Sequence, residues 1–250
     1  MVKLRTNSEL KLIRKSGLIS ALALKKVIGS IRPGITTLEL DKIAEAQVRK
    51  LGGEPAFRSV PGYSWTTCIT INEQVVHGIP TNRRILKGDL VSVDLGAIYQ
   101  GWYSDTAWSV LVDGNVESKK FVRVGEEALW EGIKQAVVGH TIGDISAAIQ
   151  EKVEGGGYSV VKSLVGHGVG QKLHEDPQIP GFGVKGQGLV LQKNMTLAIE
   201  VIYTKGSGEV VLDSDGWTIS SQDRSLGGLF EMTVVAGEKK GEVLTDWRKV

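Results

Sequence analysis

Two stretches of this chain follow one plan, and that repetition limits the folds open to it more than any other feature. PGITTLELDKIAEAQVRKLGG and GHTIGDISAAIQEKVEGGGY each read as a glycine, an amphipathic helix with a capping box, and a glycine stop. Gly34 corresponds to Gly139 and Glu39 to Asp144. Further on, KGDLVSVDLG resembles KNMTLAIEVI, and GWYSDTAWSV resembles GGLFEMTVVA. These pairings match Asp94 with Glu200 and Asp105 with Glu231. The sequence predicts a duplicated α+β unit in which helices accompany an antiparallel, strand-rich sheet.

Helices are expected from Asn7 or Ser8 through the first thirty residues, after Thr36, over about 118–138 and over 141–154. On the first, Leu10, Ile13, Gly17, Ala21, Leu24 and Ile28 share a face. The end of the chain, EVLTDWRKV, reads as a short strand and a polar tail.

All four acids lie inside apolar runs that read as strands. In VSVDLGAIYQGWYSDTAWSV a turn centred on Tyr99-Gln100 would set Asp94 directly opposite Asp105. A turn at Gln100-Gly101 would move them one diagonal step apart. Taken singly, a strand aspartate more often faces solvent or caps a turn. Four carboxylates in two equivalent pairs are different, because converging like charges force pKa values up unless cations neutralise them. Two divalent ions would supply that charge.

A nitrogen ligand must come from four histidines. His167, in LVGHGVG, sits between glycines with room to reach a ligand site, whereas His140 opens a helix and reads as structural. His77 in VVHGIP and His174 in KLHEDP share a motif and occupy matching places in the two repeats. Carboxylates with one imidazole suit Mn, Fe(II) or Co better than structural zinc. Rival motifs fail: HEDPQIP, ahead of GFGVKG, does not read as a strand and no helix pattern follows, and no P-loop, H-E-x-x-H or G-x-S-x-G is present.

Composition narrows the classes. Net charge is +2 over 250 residues with no long basic run, which argues against a nucleic-acid partner. No apolar stretch is long enough to span a membrane and no secretory signal is evident. The single cysteine, Cys68, fits a reducing compartment.

INEQVVHGIP, VDLG followed by SDTA, LVGHGVGQKLHEDP, the IEV around Glu200 and DGWTISSQDRSLGGLFEMT together resemble a type I methionine aminopeptidase. The similarity extends over about residues 8–245. It implies the pseudo-symmetric pita-bread fold, a single catalytic domain over 1–250, and cytoplasmic, monomeric action on N-terminal methionine peptides and nascent chains, with the ribosome a candidate partner. It implies Asp94, Asp105, His167, Glu200 and Glu231 as ligands of two divalent ions (Co, Mn, Fe(II) or Zn), with Asp105 and Glu231 bridging. His77 would contact the substrate backbone, His174 would stabilise the oxyanion, and Glu200 would also relay a proton. Tyr63, Cys68 and Trp217 would receive the methionine side chain, and a small second residue would be preferred.

The chain departs from the family at Met232, at Leu226-Gly227-Gly228-Leu229, and at Phe57 and Leu173. The first two changes put the surroundings of the metal ligands in question, and the last two the shape of the pocket. The competing readings are an X-Pro aminopeptidase or prolidase, and a non-catalytic pita-bread binding protein.

Overall fold

Thr36 and Thr141 start their helices in the same way. Each hydroxyl accepts the N–H of the acid three residues on, Glu39 at 3.1 Å and Asp144 at 3.2 Å, and each acid accepts the threonine N–H in return. Ahead of them Gly34 and Gly139 hold φ values of 90° and 91°, a region open to glycine. The equivalence extends to tertiary contacts. Gly34 donates to the Ile85 carbonyl and Gly139 to that of Leu191, while Ile85 and Leu191 donate back to Ile35 and His140.

The computed structural model describes residues 2–250. The first repeat comprises α1 (Asn7–Ile28), α2 (Thr37–Lys50), β1 (Glu54–Pro55), β2 (Thr67–Ile71), β3 (Gln74–Val76), β4 (Leu90–Tyr99) and β5 (Trp102–Leu111). The second comprises α3 (Val116–Lys134), α4 (Ile142–Gly155), β6 (Ser159–Val160), β7 (Val165–Gly168), β8 (Glu175–Pro180) and β9 (Thr196–Thr204). It continues with β10 (Val210–Leu212), β11 (Ile219–Ser221), β12 (Gly227–Val235) and β13 (Glu242–Val243).

The main sheet runs β1-β4-β5-β12-β9-β7-β8, with β2 also on β4, β6 on β9 and β13 on β12. Its named pairs are all antiparallel. The repeats meet where β5 pairs β12, so β4 and β9 are equivalents, as are β5 and β12. Helix α1 packs on β4 and β5, and α3 packs on β9 and β12. The principal apolar core lies between these helices and the sheet. This is the duplicated α+β unit the repeat suggested, in the pita-bread arrangement the family resemblance implied.

The cap of α1 differs from expectation. Thr6 caps it, paired with Glu9, because a cap at Asn7 or Ser8 would put Leu10 or Lys11 three residues on, and neither can return the bond. Helix α3 starts at Val116 behind Asn115 and ends at Lys134, since Val137 and Val138 are drawn into backbone pairing with Gly237. The C-terminal residues are no free tail. Thr245 and Asp246 are buried, and the Arg248 guanidinium lies over Trp108 at 4.8 Å and Trp130 at 5.3 Å.

Candidate metal centre

The hairpin turn decides where the aspartates fall. Gln100 and Gly101 take φ values of 49° and 80°, which suits a two-residue turn that matches strand twist. Tyr99 therefore pairs Trp102, Asp94 pairs Ala107 and Gly96 pairs Asp105. The two aspartates are one diagonal step apart. The two glutamates are level, since Glu231 pairs Glu200 directly across β12 and β9.

Following the register across the sheet gives a transverse row of Cys68, Asp94, Ala107, Glu231 and Glu200. Two residues away along the strands, and so on the same face, a second row holds Gly96, Asp105, Thr233, Ala198 and His167. Within it the Asp105 N–H donates to Thr233 Oγ1 at 2.9 Å, and that hydroxyl donates to the Asp105 carbonyl at 2.8 Å. Small Ala107 and Ala198 between the longer side chains leave space above the sheet.

His167 Nε2 lies 3.9 Å from Asp105 Oδ2 and 3.9 Å from Glu231 Oε1. Its Nδ1 is 2.9 Å from the Gly168 carbonyl, which can only accept. Nδ1 must therefore carry the hydrogen, and Nε2 turns a lone pair toward the acids. Donor atoms of Asp105, His167 and Glu231 all fall within 4.8 Å of one another. Asp94 and Glu200 flank this triad and line the same cavity.

Electrostatics makes this arrangement costly without a cation. Burial, with no facing cation, raises the carboxyls of Asp94 and Glu231 well above the ordinary range, with neighbouring acids adding to it. Asp105 is pushed up to about 7 and Glu200 to about 8, again chiefly by burial. Burial lowers His167 to about 4, so its imidazole is neutral at pH 7. Asp94 Oδ1 and Glu231 Oε1 are buried without a hydrogen-bond partner. A hard or intermediate divalent ion fits this donor set, because it answers both the orphaned oxygens and the crowded charge.

The cavity over the two rows measures about 320 Å3. Tyr63, Cys68 and Trp217 form one wall together with Phe57 and Leu173, two positions where the chain departs from the family. Tyr63 meets Trp217 edge-on at 5.0 Å and its hydroxyl donates to the Thr67 carbonyl. His77 and His174 stand at the rim, one from each repeat. Partial desolvation lowers both imidazoles. His77 has φ 58°, and Gly78 must follow it because a Cβ there would meet the Ile69 carbonyl at 2.3 Å. His140 is not among the residues lining the cavity.

Leu164, Ile202 and Leu229, from a separate apolar cluster, also line the cavity; Leu164 and Ile202 have no part in the sequence-based site, and Leu229 enters it only as a departure beside the metal ligands. Their signal was periodic: Ile202 and Leu229 stand two residues from Glu200 and Glu231, so they share the face of the acids. The same alternation settles the departures. Met232 is fully buried in the helix-side core, facing away from the acids. Gly227 and Gly228 are packing glycines, since a Cβ at Gly228 would meet the Tyr203 ring at 2.4 Å and one at Gly227 would meet Val75 at 2.8 Å.

Residues 11–236 match metallopeptidase family M24. A methionine aminopeptidase of Clostridium perfringens is 42% identical over 247 residues, covering 98% of this chain and 99% of that protein. The crystal structure of the Thermotoga maritima methionine aminopeptidase superposes with a TM-score of 0.96 at 43% identity, covering 98% of this chain and 99% of the other. A Pyrococcus furiosus prolidase reaches 0.79 at 26% identity, and only 65% of its length is covered. The X-Pro alternative is therefore not favoured. The chain belongs to metallopeptidase family M24, and within it to the methionine aminopeptidases.

Proposed function

We propose that this protein removes the N-terminal initiator methionine from peptides and nascent chains, with residues 1–250 as one catalytic domain. The observation that carries this reading is the pair of ligand rows flooring a cavity with an aromatic and sulfur-bearing wall. Asp94, Asp105, His167, Glu200 and Glu231 would hold two divalent ions, of which Co, Mn, Fe(II) and Zn are candidates. The chemistry such ions supply is neutralisation of the carboxylates, polarisation of the scissile carbonyl and acidification of water.

The chain's own groups do the rest. Tyr63, Cys68 and Trp217 enclose the thioether in an apolar slot of suitable size. His77 at the rim donates to the substrate backbone beside the new N-terminus. His174 is neutral at pH 7, and a ring N–H donates to the oxygen where negative charge develops. Glu200 accepts the proton of the attacking water at its carboxylate and returns it to the leaving amine. Leu164, Ile202 and Leu229 crowd the space beyond the scissile bond and favour a small second residue.

The same reading makes the enzyme a cytoplasmic monomer that meets its substrates near the ribosome. Among the described residues no helix is long and apolar enough to cross a membrane. The test is a chelated preparation assayed on Met-Gly-Met and X-Pro peptides before and after Mn, Co or Fe(II) is restored. Cation-dependent cleavage of the methionine peptide is expected. Cleavage of X-Pro peptides alone would overturn the reading, as would activity that survives complete metal removal.

A further inference from the structure

Arg5, four residues from the start of the chain, is among the most buried cations in the molecule, with its side chain 3% exposed. Its backbone is tied at both groups: the Arg5 N–H donates to the Asn194 carbonyl at 3.1 Å, and the Asn194 amide donates to the Arg5 carbonyl at 2.8 Å. The guanidinium donates through Nε to Thr196 Oγ1 at 3.3 Å and through Nη2 to the Val169 carbonyl at 3.4 Å. Nη2 also pairs with Glu175 Oε2, and the group lies over the Trp102 ring, 5.4 Å from its centre.

Glu175 passes this anchorage on. Its second oxygen, Oε1, accepts the N–H of Gln171 at 2.8 Å and of Lys172 at 3.0 Å. These two bonds tie down the loop between β7 and β8, the loop that carries His174. Gly170 within it lies so near Arg5 that a Cβ there would fall 2.1 Å from Nη2. At the far end of this loop the His174 ring meets the His167 ring edge-on, centroids 4.5 Å apart.

We propose that Arg5 is a positioning residue for the reaction, which acts through Glu175 and the 170–174 loop to fix His174 beside His167. The N-terminal arm is thus a working part of the catalytic apparatus, although it contributes no atom to the cavity floor. A planar guanidinium serves here because it addresses Thr196, Val169 and Glu175 at once, whereas a lysine could meet only part of that set. A neutral residue of similar length would leave Glu175 without its partner. The proposal rests on the reading of His174 as oxyanion donor.

The test compares Arg5→Met, Arg5→Lys, Glu175→Gln and the Arg5→Met/Glu175→Gln double variant as full-length, metal-loaded proteins. Turnover is measured on Met-Gly-Met, bound metal by elemental analysis, and the four histidine ring resonances in the zinc-loaded form. Arg5→Met should lower kcat at least tenfold, with KM within about twofold and metal content unchanged. The His174 resonances should shift or broaden while those of His140 stay in place. Arg5→Lys, which keeps the charge opposite Glu175 but not the full set of bonds, should recover only part of the loss, and the double variant should be no slower than the slower single one. A kcat for Arg5→Met within twofold of the parent would overturn the proposal, and so would loss of metal in step with loss of turnover. If the parent cleaves X-Pro peptides instead, the assignment of substrate fails. The His174 resonances in Arg5→Met then still decide the latch: unmoved, they refute it.

Discussion

Glu200 and Glu231 are direct cross-strand partners, whereas their counterparts in the first repeat, Asp94 and Asp105, stand a diagonal step apart. The repeat therefore reproduces the acids without reproducing their register. Directly opposed carboxylates have Cβ atoms roughly 4.5–5.5 Å apart, where like charges repel. All four acids nonetheless crowd one another, with Asp105 the strongest like-charge neighbour of the other three, and Asp94 and Glu231 each keep a buried oxygen that nothing in the protein satisfies.

That crowding predicts an unusual pH response. Asp105 at about 7 and Glu200 at about 8 bind protons more tightly folded than unfolded. A raised carboxyl pKa contributes stability at low pH that is lost as pH rises toward the folded value. The loss runs from about pH 5 to about pH 8; His167 is neutral in the fold, and its unfolded imidazole, protonated below about pH 6.5, offsets part of the slope at the acid end and none of it above about pH 7.5. Metal-free protein should lose up to about 1.4 kcal/mol per pH unit for each proton held. Urea denaturation of chelated samples across this window would measure it. Saturating Mn should flatten the curve, and Asp105→Asn should both reduce the slope and abolish metal-dependent activity.

His174 sits at the rim and outside the ligand triad, so His174→Ala should leave metal content unchanged. Loss of a donor to the oxyanion is expected to reduce kcat by about 10²–10³. Steady-state kinetics with parallel elemental analysis separates the two effects. An unchanged kcat would remove the oxyanion role.

Met232, a position where the chain departs from the pattern of the family it resembles, points into the helix-side core with Ile199 and Phe230. Met232→His should therefore destabilise the fold by about 2 kcal/mol or more, through burial of a polar ring without a partner. Denaturation would register that loss, while metal affinity measured calorimetrically should stay within twofold of the parent.

Asp41 on α2 is buried and outside the cavity, and its Oδ1 accepts from Thr66 N, Thr67 N and Thr67 Oγ1, each at 2.9 Å. The Thr67 carbonyl in turn receives the Tyr63 hydroxyl. Asp41→Ala strands two buried amides and should cost about 2–3 kcal/mol. It should also raise KM for methionine peptides several-fold with little change in kcat, because it loosens the wall and spares the ligands. Asp41→Asn, which retains the accepting oxygen, should show much smaller changes in both.

Much of this was legible in the sequence because the repeat is encoded locally. Glycine, threonine and an acid at fixed spacing specify each helix start, and strand periodicity tells which face an acid occupies. The diagonal offset of Asp94 and Asp105 was open between two turns, since tripeptide YQG can bend at either pair of residues. Asn and Ser rank at or above Thr as cap residues, so Asn7 and Ser8 look at least as suitable as Thr6, but only Thr6 has a reciprocal partner three residues on, at Glu9. The apolar cluster of Leu164, Ile202 and Leu229 and the Arg5–Glu175 pair depend on segments far apart in the chain. No local pattern announces which distant residues the sheet will bring together.

The two-residue turn at Gln100-Gly101 has a consequence for how this protein can change over time. Surface loops ordinarily absorb insertions with little harm, because nothing downstream counts their length. This one is a ruler. A single added residue, if the strands kept pairing, would slide β5 by one place and carry Asp105 from the ligand face to the core face. Natural variation and insertion libraries alike should leave this turn at fixed length, even while its residues are free to differ.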